Sequence, residues 1–370
     1  MKLLICAGMT GGGVYPALAV LQTLTKQVDE ILWVGSEGGM ETELITRLSI
    51  PYKAIPAAGL HGVSLQKLPG NISKLVRGYQ EAEMIVHSFQ PDVFFSTGGY
   101  LSVPVALAAR HVPSVVFIPD IEPGLALKVL MKYADRILTS TAESGQFIRR
   151  KSKVTLCGYP LRKEVTRWKK DAARRELALT DALPVLLVFG GSKGAQSINR
   201  ALYPLLPDFL KAAQVVHISG SDNYQETQQN AQTLPDTLKK RYHLFPYLHE
   251  TMGAALAAAD LAVCRAGAST LGELPFFNLP AILVPYPHAW HYQKNNADHL
   301  ANSGAAVILR DEDMANSLRS TVLDLLYDPQ RLQTMQTAMR SLATPDAAQK
   351  IGQIVMETGM KKKKQKGAAA

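Results

Sequence analysis

Leu3-Leu4-Ile5-Cys6-Ala7-Gly8-Met9-Thr10-Gly11-Gly12-Gly13-Val14-Tyr15-Pro16-Ala17-Leu18-Ala19 is the stretch on which the fold of this chain turns. A short apolar run bounded by glycines reads as a buried strand. Pro16 suits a first helical turn, where its missing N–H is no loss, and opens a helix over 17–24. Strand, glycine turn and helix in succession make the first unit of a doubly wound α/β sheet. The same turn is an anion site, because glycines let a diphosphate approach the backbone and the helix N-terminus favours negative charge. A dinucleotide fold would want GxGxxG and an acidic residue about 20 residues on. Here the glycines fall as GxxGGG and Glu37 is the only tolerable acidic candidate, so a nicotinamide enzyme is disfavoured. The plainer alternative is a tight turn that merely packs helix on strand.

The pattern of that stretch recurs. Apolar runs at 3–7, 31–34, 93–96, 115–118, 137–139 and 154–157 alternate with helical segments, then restart at 185–189, 215–218, 261–264, 281–284 and 306–309. Such alternation predicts parallel sheets with helices on both faces. At roughly 100–200 residues per domain, 370 residues predict two domains. The break falls in the charged, strandless stretch between Arg162 and Pro184. The expected boundaries are 1–163, 164–345, a helix over 346–360 returning to the first domain, and a disordered basic tail over 361–370. Ile72, Leu75, Val76 and Tyr79 recur at helical spacing and predict an amphipathic helix over 71–90.

Three further loops carry chemistry. Ser96-Thr97-Gly98-Gly99-Tyr100 again lies between strand and helix, at the same sheet edge as the first loop. Gly190-Gly191-Ser192-Lys193-Gly194-Ala195 opens the second half; the spacing GxxxxGK[ST] is absent, so triphosphate hydrolysis is not expected. Arg265-Ala266-Gly267-Ala268-Ser269-Thr270-Leu271-Gly272-Glu273 follows the strand at 261–264. Glu273 lies three residues after Thr270, the spacing of a capping box. The functional alternative has Glu273 accepting from a ribose diol while the helix N-terminus faces a diphosphate. Gln293 and Asn296 share a helical face and are candidates for sugar hydroxyls, or exposed amides.

Composition narrows the classes. With 47% hydrophobic residues the chain buries a substantial core. The net charge of +9 suits an anionic partner, although Lys361, Lys362, Lys363, Lys364 and Lys366 supply over half of it. Cys6, Cys157 and Cys264 lie in apolar runs without CxxC spacing, which excludes a metal knuckle and fits a reducing compartment. The N-terminal run is too short for a signal peptide, and no apolar stretch approaches the roughly 20 residues of a membrane span. Membrane contact is therefore expected to be peripheral. The 65–79 segment mixes Leu65, Leu68, Ile72, Leu75 and Tyr79 with Lys67, Lys74 and Arg77, which suits an anionic bilayer surface or an ordinary packed helix.

These motifs, taken in order, resemble the MurG family, the peptidoglycan N-acetylglucosaminyltransferases of glycosyltransferase family 28. The family's GGTGGHxxPALA is matched at 8–19, its second glycine loop at 96–100, GGSxGAxxxN at 190–199, RAGAxTxxE at 265–273 and QxxNA at 293–297. The resemblance implies a GT-B fold: two Rossmann-like domains facing each other across a cleft. It implies UDP-N-acetylglucosamine as donor and undecaprenyl-diphosphate-linked muramoyl-pentapeptide as acceptor, at the cytoplasmic face of the inner membrane. It places Arg162 and Ser192 on the diphosphate, the backbone near Leu248 on the uracil, and Ala268, Ser269 and Thr270 by the phosphates. Glu273 falls on the ribose and Gln293, with Asn296, on the sugar. Thr10, Gly11, Gly12 and Asp120 would meet the transferred sugar from the acceptor side. Nucleic acid is not among the partners implied.

Three positions depart from the family. Gly13 replaces a histidine, Asp120 stands where HEQN has its Asn, and Tyr159 replaces the Asn of NPxR. Inverting transfer needs a base for the acceptor hydroxyl and stabilisation of the departing diphosphate. Helix N-termini, Arg162 and Ser192 can meet the leaving charge, so no obligatory metal or other cofactor is expected. For the base, Asp120 or Glu122 is the candidate, with His288 behind them. The rivals are a UDP-N-acetylglucosamine 2-epimerase, another GT-B transferase, and a non-catalytic UDP-sugar-binding protein.

Overall fold

The computed structural model describes residues 1–8, 10–39, 41–59, 64, 66, 68–179, 182–191 and 194–367. The chain forms two compact units, Met1–Arg162 with Pro345–Ala370, and Lys163–Thr344.

The first unit runs β1 (Lys2–Ala7), α1 (Gly11–Leu24), β2 (Glu30–Ser36), α2 (Glu41–Arg47), β3 (Tyr52–Ile55), α3 (Leu68–Phe89), β4 (Val93–Gly98), α4 (Ser102–Ala108), β5 (Ser114–Ile118), α5 (Leu125–Tyr133), β6 (Arg136–Thr139) and β7 (Val154–Leu156). Its seven strands lie in the order β3-β2-β1-β4-β5-β6-β7, every neighbouring pair parallel. β4 and β5 are buried along their whole length, as strands covered on both faces must be. One layer of the core packs Leu4, Cys6, Phe94, Val116 and Ile118 against Leu101, Val105, Leu127 and Leu130 of the helices.

The second unit opens with the charged helices α6 (Lys163–Thr166) and α7 (Lys170–Glu176). It continues β8 (Val185–Phe189), α8 (Gln196–Leu202), α9 (Leu206–Ala212), β9 (Gln214–Ile218), α10 (Tyr224–Gln232), α11 (Asp236–Lys239), β10 (Tyr242–Phe245), α12 (Met252–Ala258), β11 (Leu261–Cys264), α13 (Thr270–Phe276), β12 (Ala281–Leu283), α14 (Trp290–Asn302), β13 (Ala306–Ile308), α15 (Met314–Leu326) and α16 (Pro329–Ser341). The sheet order is β10-β9-β8-β11-β12-β13, again parallel throughout. The last helix, α17 (Ala347–Gly367), belongs to the first unit and lies along α1, with Gly352 against Thr23 and Leu24.

Four features differ from expectation. β3 and β10 have no apolar run, because as sheet edges they carry Tyr52-Lys53-Ala54-Ile55 and Tyr242-His243-Leu244-Phe245. α1 starts at Gly11, so the glycines are its first turn and Pro16 lies inside the helix. α3 packs through Gly78 and Ala82, while Ile72 and Val76 of the apolar stripe are 48% and 52% exposed. The backbone of α17 runs to Gly367, into the lysine tail expected to be disordered; lysine is a good helix former and cations suit a helix C-terminus. Among the described residues no helix is long and apolar enough to cross a membrane.

A buried polar chain braces the second sheet. The Tyr242 hydroxyl stands 2.7 Å from His217 Nδ1, and His217 Nε2 stands 2.9 Å from Asn199 Oδ1. The amide oxygen can only accept, so Nε2 carries the proton and Nδ1 accepts from the phenol. Asn199 Nδ2 in turn donates to the Ser219 carbonyl at 2.9 Å. His217 is fully buried, and burial pushes its pKa down to about 3. Below the usual histidine pKa near 6.5 the unfolded chain binds a proton that the folded chain refuses, so this stability is present above pH 6.5 and is lost as pH falls towards 3. In urea unfolding, the stability gap between wild type and His217→Gln is expected to narrow by up to about 1.4 kcal/mol per pH unit from pH 6 downwards. A gap independent of pH would contradict the neutral, buried ring.

Candidate functional site

In each sheet the order of strands reverses once, between β1 and β4 in the first unit and between β8 and β11 in the second. Helices leaving the two strands go to opposite faces, and a crevice opens at the carboxyl ends. The loops that flank these crevices are parts of the four stretches read from the sequence: 8–13 and 96–100, then 190–195 and 265–273.

In the first unit the two loops are tied together. Thr97 Oγ1 donates to the Gly13 carbonyl at 2.7 Å, and Ser102 Oγ donates to the Gly98 carbonyl at 2.7 Å. Thr10 is the exposed N-cap of α1, and its carbonyl accepts from Gly13 N and Val14 N, both at 3.1 Å. The N–H groups of Gly11 and Gly12 therefore precede the first intrahelical bond and remain donors for an anion. Beneath the loop lies Glu41, fully buried, whose Oε1 accepts from Ser36 N and Ser36 Oγ at 2.7 Å each. Nothing in the sequence marked it, since it sits in a polar helix start. A Cβ on Gly8 would stand 2.5 Å from that carboxylate and 2.7 Å from Leu101 Cδ2. At Gly13, where the family has a histidine, the nearest atom to an added Cβ would be the Gly8 carbonyl at 3.5 Å, an ordinary contact.

Arg162 is brought to this loop: its guanidinium lies over the ring of Tyr15, 4.1 Å from the centroid. Asp120 and Glu122 follow β5 at the same edge, both partly buried. Glu122 is ion-paired with Lys128 of α5 at 3.1 Å. Tyr159 is in the core, edge-on to Phe117 at 6.2 Å, so this departure from the family serves packing.

In the second unit several side chains of these motifs hydrogen-bond within the loops. Arg265, 9% exposed, is ion-paired with Asp311; it donates to the Val284 carbonyl at 3.2 Å and to Ser197 Oγ at 2.6 Å. Asp311 follows β13 and had no sequence signal. Asn296, expected at the sugar, is fully buried and donates to the Ala266 carbonyl at 3.1 Å. Gln293 is partly buried, and its Oε1 accepts from Tyr286 N at 2.8 Å. The capping box is not formed: Ser269 is the N-cap of α13, without a side-chain cap bond, and Thr270 Oγ1 donates back to the Gly267 carbonyl at 2.6 Å. Glu273 N donates to the Ser269 carbonyl at 2.8 Å, and its side chain is partly buried on the first turn. Ala268 is buried and Ser269 half-buried. Leu248 lies in the loop after edge strand β10, 8% exposed. His288 is exposed and edge-on to Tyr286, with ring centroids 5.2 Å apart. Ser192 and Lys193, and Leu65 and Lys67 of the basic segment, lie outside the described residues.

Comparison with known proteins agrees with this architecture. Residues 3–139 match the glycosyltransferase family 28 N-terminal domain and residues 185–351 the family 28 C-terminal domain. A relative from Roseiflexus sp. (strain RS-1), named UDP-N-acetylglucosamine--N-acetylmuramyl-(pentapeptide) pyrophosphoryl-undecaprenol N-acetylglucosamine transferase, is 39% identical, with 96% of this chain and 94% of the relative covered. Among solved structures, MurG of Acinetobacter baumannii has a TM-score of 0.74 at 25% identity, covering 96% of this chain and 99% of that one. A UDP-GlcNAc 2-epimerase from Neisseria meningitidis, bound to UDP-GlcNAc, reaches a TM-score of 0.69 at 12% identity over 96% of this chain and 100% of that one, a likeness of fold alone.

The two glycines of the first loop should respond oppositely to a methyl group. Gly8→Ala is expected to destabilise the protein by about 1–3 kcal/mol through overpacking against Glu41 and Leu101. Gly13→Ala, in the first helical turn with space for the Cβ, is expected to stabilise it by about 0.5–1 kcal/mol. Chemical denaturation of both variants checks the pair; equal effects would contradict the loop geometry.

Proposed function

The chain belongs to glycosyltransferase family 28, and from that premise we infer that it transfers N-acetylglucosamine from UDP-N-acetylglucosamine to N-acetylmuramyl-(pentapeptide) pyrophosphoryl-undecaprenol, a step of peptidoglycan synthesis. The observation that carries the reading is coincidence of place. The family's signature stretches at 190–199 and 265–273 flank the crevice at the β8/β11 reversal, where an open α/β sheet receives its ligand.

In the proposed complex the second unit holds the donor. The backbone at Leu248 meets the uracil, Glu273 accepts from the ribose diol, and Ser192 and the amides before Thr270 meet the diphosphate. Gln293 faces the sugar, while Arg265 and Asn296 hold the loop that presents these groups. Thr10, Gly11 and Gly12 meet the transferred sugar, with Arg162 on the diphosphate. The acceptor's C4 hydroxyl oxygen attacks the anomeric carbon as the bond to UDP breaks, inverting that centre. The hydroxyl proton passes to a carboxylate, and fixed N–H dipoles and the Arg162 charge stabilise the leaving diphosphate. Asp120 and Glu122, which follow β5 at this sheet edge, are the candidates for the base. Gly13 offers no side chain for either task.

Incubation with UDP-N-acetylglucosamine alone and with a short-chain lipid-linked acceptor tests the activity. Disaccharide product only when acceptor is present supports the reading; release of the 2-epimer from donor alone would support epimerisation, and donor binding without turnover a binding protein. Asp120→Asn is expected to lower kcat by about 10²–10⁴-fold, the usual worth of a general base. Full turnover in both Asp120→Asn and Glu122→Gln would remove both carboxylates from the mechanism.

The lipid-linked acceptor also requires approach to a bilayer, and we propose that α3 provides it. Ile72 and Val76 are exposed, with Lys74 and Arg77 exposed beside them, the composition of a helix that rests on an anionic surface. The enzyme would then act as a peripheral protein at the cytoplasmic face of the membrane. Lys74→Glu with Arg77→Glu is expected to reduce sedimentation with anionic liposomes severalfold, on the basis of about 1 kcal/mol per cation. Unchanged binding would assign α3 no role at the surface.

A further inference from the structure

Tyr15 stands one turn into α1 and was marked by no motif beyond its neighbours. Its ring makes two contacts that join separate parts of the first unit. Along one edge it touches Gly11: a Cβ on that residue would stand 2.9 Å from Tyr15 Cε2 and 3.2 Å from Cδ2. Over its face lies the Arg162 guanidinium, 4.1 Å from the centroid. Gly11 belongs to the first glycine loop, whereas Arg162 is 151 positions further along the chain, beyond β7. Among the described residues no carboxylate is ion-paired with Arg162.

That last fact gives the stack its chemical meaning. A carboxylate would orient the guanidinium but neutralise it. An aromatic face orients it through the ring quadrupole and leaves its full charge and its N–H donors for an anion. We propose that Tyr15 is a positioning residue for the transfer reaction: its ring holds the Arg162 guanidinium, still charged, beside the first glycine turn, so that Arg162 meets the donor diphosphate while Thr10, Gly11 and Gly12 meet the transferred sugar. This inference rests on the reading of Arg162 as a diphosphate contact. The phenolic hydroxyl has no part in it.

Steady-state transfer to a short-chain lipid-linked acceptor, with UDP as competitive inhibitor, is measured for wild type, Tyr15→Phe, Tyr15→Leu, Arg162→Ala and the double variant Tyr15→Leu/Arg162→Ala. Tyr15→Phe keeps the π face and is expected to stay within about twofold of wild type. Tyr15→Leu is expected to lower kcat/KM for UDP-N-acetylglucosamine about tenfold and to weaken inhibition by UDP in parallel. Arg162→Ala is expected to lose more, and the double variant no more than Arg162→Ala alone. If Tyr15→Leu does not fold, Tyr15→Met fills similar volume without a π face. Losses that multiply in the double variant, or a Tyr15→Leu enzyme equal to wild type, would overturn the role of Tyr15 while leaving that of Arg162. An Arg162→Ala enzyme without a defect would overturn the diphosphate reading and the positioning role with it.

Discussion

The reversal of strand order in each sheet is the constraint on which the rest depends. A parallel sheet with right-handed crossovers sends its helices to one face on one side of the starting strand and to the other face on the other side. The crevices therefore open at the carboxyl ends between β1 and β4 and between β8 and β11. The backbone there must turn sharply and still satisfy its polar groups, which is why the first turns are built from glycine, serine and threonine. Anion recognition follows from the same geometry, since N–H groups at a helix start have no intrahelical partner.

Side chains around these crevices divide between holding the loops and meeting the ligand. Arg265, Thr270, Asn296 and Thr97 all place their hydrogen bonds on protein carbonyls, hydroxyls or carboxylates. A buried guanidinium or amide left without such partners would cost several kcal/mol, on the order of 3–5 for a broken buried ion pair. Their bonds therefore fix loop geometry. A signature motif thus mixes residues that touch a ligand with residues that make the touching surface possible. Arg265 shows the second kind: it joins the ends of β11 and β12 to α8 and to the turn after β13.

How much of this was legible varies by physical cause. Central strands were legible because burial on both faces forces continuous apolar runs, as in Val185–Phe189. The edge strands β3 and β10 were not, because one flank is solvent and residues such as Lys53 and His243 break the run. The helix start at Gly11 was missed because proline reads as a first-turn residue, whereas Pro16 lies inside the helix. The spacing of Thr270 and Glu273 fitted a capping box, yet the chain is already helical at Ser269, and the Thr270 hydroxyl turned back to Gly267. The glycine loops were legible as positions in the chain. That Asn296 is a brace, and that Glu41, Asp311 and Tyr15 support the loops, depends on contacts distant in sequence and carries no local pattern.

The central claim, that the nucleotide sugar belongs to the crevice at β8 and β11, is tested most directly by a crystal structure of the protein with UDP-N-acetylglucosamine. The diphosphate is expected against the loops at 190–195 and 267–270 and the ribose on the Glu273 carboxylate. Density for the nucleotide on the seven-stranded sheet, against residues 8–13 with Glu273 unengaged, would contradict it.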